Sequence, residues 1–250
     1  NGMGGADLIS LSGVPNFSAG AAEINGGAGG DTITLSDVGS GIVVNAGDGS
    51  DLIDISTGLS VGSIAVGAGA DTVSLASGAI VSSVALGAGT DYFSAATGAV
   101  AGNFAAGGGA DTVILGSFSK SGSILNADST TQGGGADSIS VGILDKFTTI
   151  KGKGGSDTIS VGNVGSGAII EGNAGGDLLT VASFGDARVQ AGAGSDTISV
   201  GFTNSGVIVG GGGADSITVS GAGGYAGLSV ALGAGSDTLT YSTGTVAGAT

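Results

Sequence analysis

Residues 26–34 read Gly-Gly-Ala-Gly-Gly-Asp-Thr-Ile-Thr, and residues 210–218 read Gly-Gly-Gly-Gly-Ala-Asp-Ser-Ile-Thr. In both, a glycine run ends in an Asp, and a polar/apolar alternation starts on the next residue. The Gly-x-Asp step recurs at Asp7, Asp31, Asp51, Asp71, Asp91, Asp111, Asp137, Asp157, Asp177, Asp196, Asp215 and Asp237. Most successive copies stand at one common spacing; the steps to Asp31, Asp137 and Asp237 are longer, and those to Asp196 and Asp215 are one shorter. Glycine stands two residues before the Asp every time. It also stands four before, except where Met3, Lys153 and Asn173 replace it. One such step is expected by chance in a glycine-rich chain, but twelve in register make an internal repeat, and the repeat decides the architecture.

The flanks are as regular as the turns. After the Asp come Thr32-Ile33-Thr34-Leu35, Thr158-Ile159-Ser160-Val161, Thr197-Ile198-Ser199-Val200 and Ser216-Ile217-Thr218-Val219. A two-residue period with β-branched residues predicts a strand with one buried face. Before many turns lies a second short run: Ile42-Val43-Val44, Ile64-Ala65-Val66, Val84-Ala85-Leu86 and Val207-Ile208-Val209. One repeat therefore reads strand, glycine-rich Asp turn, strand, looser return. Two short strands bury no core alone, but stacked coils share one. At roughly 4.8 Å per rung, twelve coils make a rod of roughly 55–60 Å. The three longer spacings predict outpocketings of the return side, holding Pro15 and Phe17, then Asn126 to Thr131, then Gly223 to Tyr225. No break in the repeat marks a second domain, so residues 1–250 read as a single continuous roll.

The nonapeptides at 26–34 and 210–218 resemble the GGxGxDxUx motif of RTX, or haemolysin-type, calcium-binding repeats, and the resemblance covers essentially the whole chain. It implies an all-β, right-handed parallel β-roll or β-solenoid of about twelve coils, with Ca2+ held between successive turns. It also implies the ligands: the carboxylates of the twelve Asp residues named above, with the carbonyls of Gly29, Gly49, Gly69, Gly89, Gly109, Gly135, Gly155, Gly175, Gly194, Gly213 and Gly235. RTX motifs run in tandem, with two calcium turns in each coil. Here the motif comes once per coil, so calcium is expected in single file along one edge, at most eleven ions within one chain. The long Gly/Ala/Thr coils are most similar to RTX-bearing bacterial surface-layer proteins.

Elementary electrostatics points the same way. Carboxylates one rung apart repel by about 3 kcal/mol at an effective dielectric of about 20. A hard divalent cation removes that repulsion and takes oxygen ligands only. The alternative is that each Asp caps its turn through Asx hydrogen bonds. Lowering the pH toward the carboxylate range is expected to mimic chelation.

Composition excludes much else. The chain has no His, Cys or Trp, one Pro and 57 glycines in 250 residues. Hydroxyl- or thiol-based triads with His, the usual zinc sites and thiol redox chemistry are therefore absent. With 20 acids against 5 bases the net charge is -15, which argues against nucleic acid as a partner. The uncharged windows are interrupted by Ser, Thr and Gly, so no membrane insertion is expected. Pairs such as Asp51 and Asp54 lie beside the turn row rather than in a cleft, and the chain reads as a non-enzyme.

Other features carry expectations of their own. The positions one and three after each Asp form outward Ser/Thr files, broken by Leu8, Leu52, Tyr92 and Leu178 and by Asp54 and Ile114. They read as solvated strand faces, with ice binding as a second alternative function. Phe118, Phe147, Phe184, Phe202 and Tyr225 mark the return corner, as core plugs or as a lateral contact. Lys151 and Lys153 sit at one turn; Lys153 replaces a turn glycine. Asn16-Phe17-Ser18 is a formal glycosylation sequon. Counting from Asp237 to Thr250, and on from Asn1 to Asp7 of another copy, gives the commonest spacing of the repeat. Copies are therefore expected to continue one another head to tail, unless the chain is a segment of a longer roll. The resulting expectation is a secreted, calcium-dependent structural protein that assembles with itself at the cell surface, as a filament or surface layer. A cell-surface polysaccharide or an outer-membrane anchor is the further partner expected. The first alternative is a non-assembling repeat segment of a larger exported adhesin or toxin, folded by extracellular calcium.

Overall fold

The computed structural model describes all residues except 15–21, 39, 97–99, 119–122, 129–133, 203–204, 222–226 and 244–250. Every repeat folds into the same unit. The alternation after Asp31 forms a strand, Thr32–Val38, whose burial alternates in step with its apolar residues. The run before Asp51 forms Ile42–Asp48 with Ile42, Val44 and Ala46 inward. Strands that follow an Asp pair only with one another, in a parallel sheet of twelve running from Leu8–Val14 to Thr238–Thr243. Strands that precede an Asp make a second parallel sheet of eleven, from Glu23–Ala28 to Gly227–Ala234. The chain is thus an all-β parallel solenoid whose coils follow the spacing of the Asp residues, and among the described residues there is no helix. The pairing keeps equivalent positions opposite one another: Thr32 faces Leu52, Ile33 faces Ile53 and Leu35 faces Ile55.

Two sheets with facing apolar files close on a continuous core. Ile33, Ile53, Val73, Phe93, Val113, Ile139, Ile159, Leu179, Ile198 and Ile217 stack in one file, all essentially inaccessible. Each such side chain contributes about 1.5–3 kcal/mol on burial. Phe93 and Phe104 meet edge to face across the sheets, ring centroids 4.8 Å apart. Phe118 and Phe184 are buried and plug the core at the return corner, whereas Phe147 turns outward and is 64% exposed. The side chain of Phe202, and the whole of Tyr225, Pro15, Asn16 and Phe17, lie outside the described residues. The longest coil departs from expectation. Asn126 belongs to the strand Ile124–Asp128, which enters the Asp turn, and not to the return side, while residues 129–131 lie outside the described residues.

The turns need glycine for two reasons. Gly69 and Gly89 both have φ of 145°, and an added Cβ at either would overlap the carbonyl of the same glycine one coil below. Lys153 and Asn173 take the turn position four before the Asp at φ of 83° and 81°, a region L-residues enter at a cost of about 1–2 kcal/mol. Asn173→Gly is expected to stabilise the protein by about 0.5–1 kcal/mol, measured by denaturant titration; an unchanged midpoint would show that the turn absorbs this strain.

Candidate metal centre

Each Asp of the repeat sits between the end of one sheet and the start of the other, so the coils superpose the twelve in a row along one edge. From Asp31 to Asp215 their side chains are buried, 1–3% exposed. The backbone explains this placement. The N–H of each Asp donates to Oδ1 of the Asp one coil later: Asp7 to Asp31 at 2.8 Å, Asp71 to Asp91 at 2.9 Å, Asp111 to Asp137 at 2.7 Å, Asp215 to Asp237 at 3.0 Å, with every intermediate step present. In return the Asp carbonyl accepts the N–H of the residue after the next Asp, as in Thr72 to Asp51 at 2.8 Å. Capping by Asp therefore occurs between coils and not within one turn. The sequence did not reveal this, because donor and acceptor stand a whole coil apart along the chain.

This ladder uses one carboxylate oxygen. The other, Oδ2, is buried without a hydrogen-bond partner at Asp7, Asp31, Asp51, Asp71, Asp91, Asp111, Asp137, Asp157, Asp177, Asp196 and Asp215, and also at Asp128. Its position is defined by the glycines beside it. A Cβ added at Gly26 would meet both Oδ2 of Asp31 and the carbonyl oxygen of Ala46, one coil on. The same pair of oxygens recurs at Gly152 (Asp157 and Gly172), Gly172 (Asp177 and Ala191) and Gly210 (Asp215 and Leu232). Where that position is glycine, an unpaired carboxylate oxygen and the next coil's carbonyl border one small gap. A buried anionic oxygen without a donor is costly, and an oxygen-only donor set of this kind suits a hard cation such as calcium.

The electrostatics reflects the same deficit. Burial pushes the carboxyls of Asp71, Asp91 and Asp196 up to about 6, and those of Asp137 and Asp157 up to about 7. The backbone N–H of the preceding coil opposes the shift, and neighbouring carboxylates add to it. Asp51, Asp111 and Asp177 are raised for the same leading reason.

The twelve Asp residues read from the sequence are thus brought into one row. The turn glycines named with them form a parallel file, each carbonyl aimed at the glycine of the next coil, as Gly49 at Gly69 and Gly155 at Gly175. The carbonyl that shares the gap with Oδ2 is a different one, five positions before the Asp, and the motif does not point to it. Asp54 lies on the exposed face of Leu52–Ile55, apart from Asp51. Lys151 pairs with Glu171 at 3.3 Å on the outer face. Among the described residues no three acidic side chains gather around one point; the row is linear.

Asp177→Asn separates the two roles of the carboxylate. The amide keeps the Oδ1 acceptor for Asp157 N–H, removes the charge and presents a donor where Oδ2 faces Ala191 O. In chelator this variant is expected to stay folded to a higher pH than the parent, because one buried charge is gone, while binding less calcium. A variant destabilised in chelator would show that the charge itself is needed by the metal-free fold.

No protein-family model, no curated protein and no solved structure matches this chain.

Proposed function

We propose that the chain is a calcium-stabilised structural roll that folds outside the cell and assembles with itself end to end at a cell surface. The observation that carries this reading is the row of buried, unpaired Oδ2 atoms, beside a carbonyl of the next coil at Asp31, Asp157, Asp177 and Asp215. The row Asp residues would hold Ca2+ between coils together with backbone carbonyls. The ion supplies the positive charge that the ladder lacks, and it couples metal binding to folding. Low cytosolic calcium would leave the chain unfolded, and millimolar external calcium would fold it. The likeness to RTX repeats agrees with this, and so does the single Asp edge.

The ladder also has a direction. Every coil presents Asp N–H toward the next coil and an Asp carboxylate toward the one before. Two copies stacked in the same sense continue it, Asp237 N–H meeting the carboxylate of Asp7, and contacts of this heterologous kind propagate into fibres.

Two measurements test the reading. Equilibrium dialysis is expected to count several calcium ions per chain, and a chain that binds none would overturn it. Light scattering at saturating calcium is expected to show polymers that Asp7→Ala diminishes while the circular dichroism of the inner coils persists. A wild type that binds calcium yet stays monomeric at high concentration would favour the repeat segment of a larger exported protein.

A further inference from the structure

The longest coil, between Asp111 and Asp137, carries a carboxylate outside the repeat. In the register of the second sheet, Asp128 lies opposite Gly107, so it occupies the place of the first turn glycine. It is 2% exposed. Its Oδ1 accepts the Gly135 N–H at 3.3 Å, and a backbone bond from Gly154 also reaches the carboxylate. Its Oδ2 has no partner and fills the space a side chain at Gly134 would take, a space bordered on the other side by the carbonyl oxygen of Gly154. The charge of Asp128 is felt by Asp111, Asp137 and Asp157 of the row. Oδ2 of Asp137 is likewise buried and unpaired. Asp128 thus adds a second buried, unpaired carboxylate oxygen to a coil whose row residue Asp137 already has one, and Asp137 feels its charge. One cation opposes it. Lys153 stands one coil on in the same file, since Asn126 pairs with Lys151, and its charge reaches Asp128. Among the described residues the two form no ion pair.

We propose that this coil holds the tightest divalent-cation site of the molecule, with Asp128 as a ligand beside Asp137 and the Gly154 carbonyl, and with Lys153 limiting its affinity. The inference rests on the calcium reading of the row. An added carboxylate raises affinity for calcium because ligand charge sets the dissociation constant across orders of magnitude. Lys153 acts in the opposite sense, as a fixed like charge beside the bound ion.

The test is equilibrium dialysis with radioactive calcium on the full chain, comparing wild type, Asp128→Asn and Lys153→Gln, with circular dichroism on each. Wild type is expected to bind one ion at least about tenfold more tightly than the remainder. Asp128→Asn should abolish that phase and leave the weaker sites, and Lys153→Gln should tighten it several-fold without adding ions. A single uniform class of sites in wild type, or a tight phase indifferent to both substitutions, overturns the Asp128 site and leaves the row reading intact. Absence of any bound calcium in wild type overturns both. Should Asp128→Asn fail to fold, an unchanged tight phase in Lys153→Gln still counts against the proposal.

Discussion

Dialysed free of divalent cations, the protein is expected to be unfolded at pH 7 and to regain its β-sheet circular dichroism when the pH is brought to about 4.5. The sign follows from the raised carboxyls. Asp71, Asp91 and Asp196 titrate at about 6 in the fold, and Asp137 and Asp157 at about 7, against 3.8 in the unfolded chain. Between these values the folded row holds protons that the unfolded chain has released, so protonation favours folding. That stability is complete below about 3.8 and is lost as the pH rises through 6 to 7. A pKa unit corresponds to about 1.4 kcal/mol, so a raised carboxyl repeated along the row weighs against a net stability that for an ordinary domain is only about 5–15 kcal/mol. On the proposed calcium reading, protons and calcium neutralise the same oxygens, so calcium is expected to restore the fold at pH 7 where acid does so at about pH 4.5. Acid and chelator are therefore expected to differ in effect, where ligand chemistry alone has them alike: acid would release a bound metal but also removes the charge that the metal would neutralise. The measurement is far-UV circular dichroism across pH 4–8 with and without calcium. A metal-free chain equally folded at pH 4.5 and pH 7 would show that the buried row imposes no charge penalty.

The second large effect is steric. Gly89→Ala is expected to lose at least about 3 kcal/mol even at saturating calcium. The residue has φ of 145°, and its new Cβ would overlap the O and C of Gly69, both well inside the 3.0 Å that real Cβ atoms keep. Backbone on both sides of the contact leaves nothing flexible to move. Gly108 is the control in the adjoining coil: nothing lies within 4 Å of its added Cβ, and its φ is not positive. Gly108→Ala should be neutral, or stabilising by about 0.5 kcal/mol through the unfolded state. Denaturant midpoints of the two variants measure the difference. Equal midpoints would mean that the coils can separate at the turn, and the tightly stacked edge would be refuted.

Much of the architecture is written locally. The coil length, the two strands of each coil and the inward residues such as Ile33, Leu35, Ile42 and Val44 all follow from a two-residue alternation punctuated by glycine. A residue's neighbours two positions away decide which face it takes, and this information is present in any short window. The row of twelve Asp residues was legible for the same reason, because stacking equal coils superposes equal positions. The fate of each carboxylate was not. Whether Oδ1 caps a backbone N–H of the coil before, and whether Oδ2 is then left buried beside Ala46 O or Ala191 O, depends on the coil-to-coil distance and on the sense of the stack. Only the assembled sheets set these. Asp128 was invisible because it breaks the motif; only the pairing of the sheet places it opposite Gly107. Phe147 and Phe184 read alike in sequence, yet one is exposed and the other buried, because φ of 56° at Phe147 turns its side chain away from the core. Periodicity determined the coil, and contact between coils decided where the charge lies.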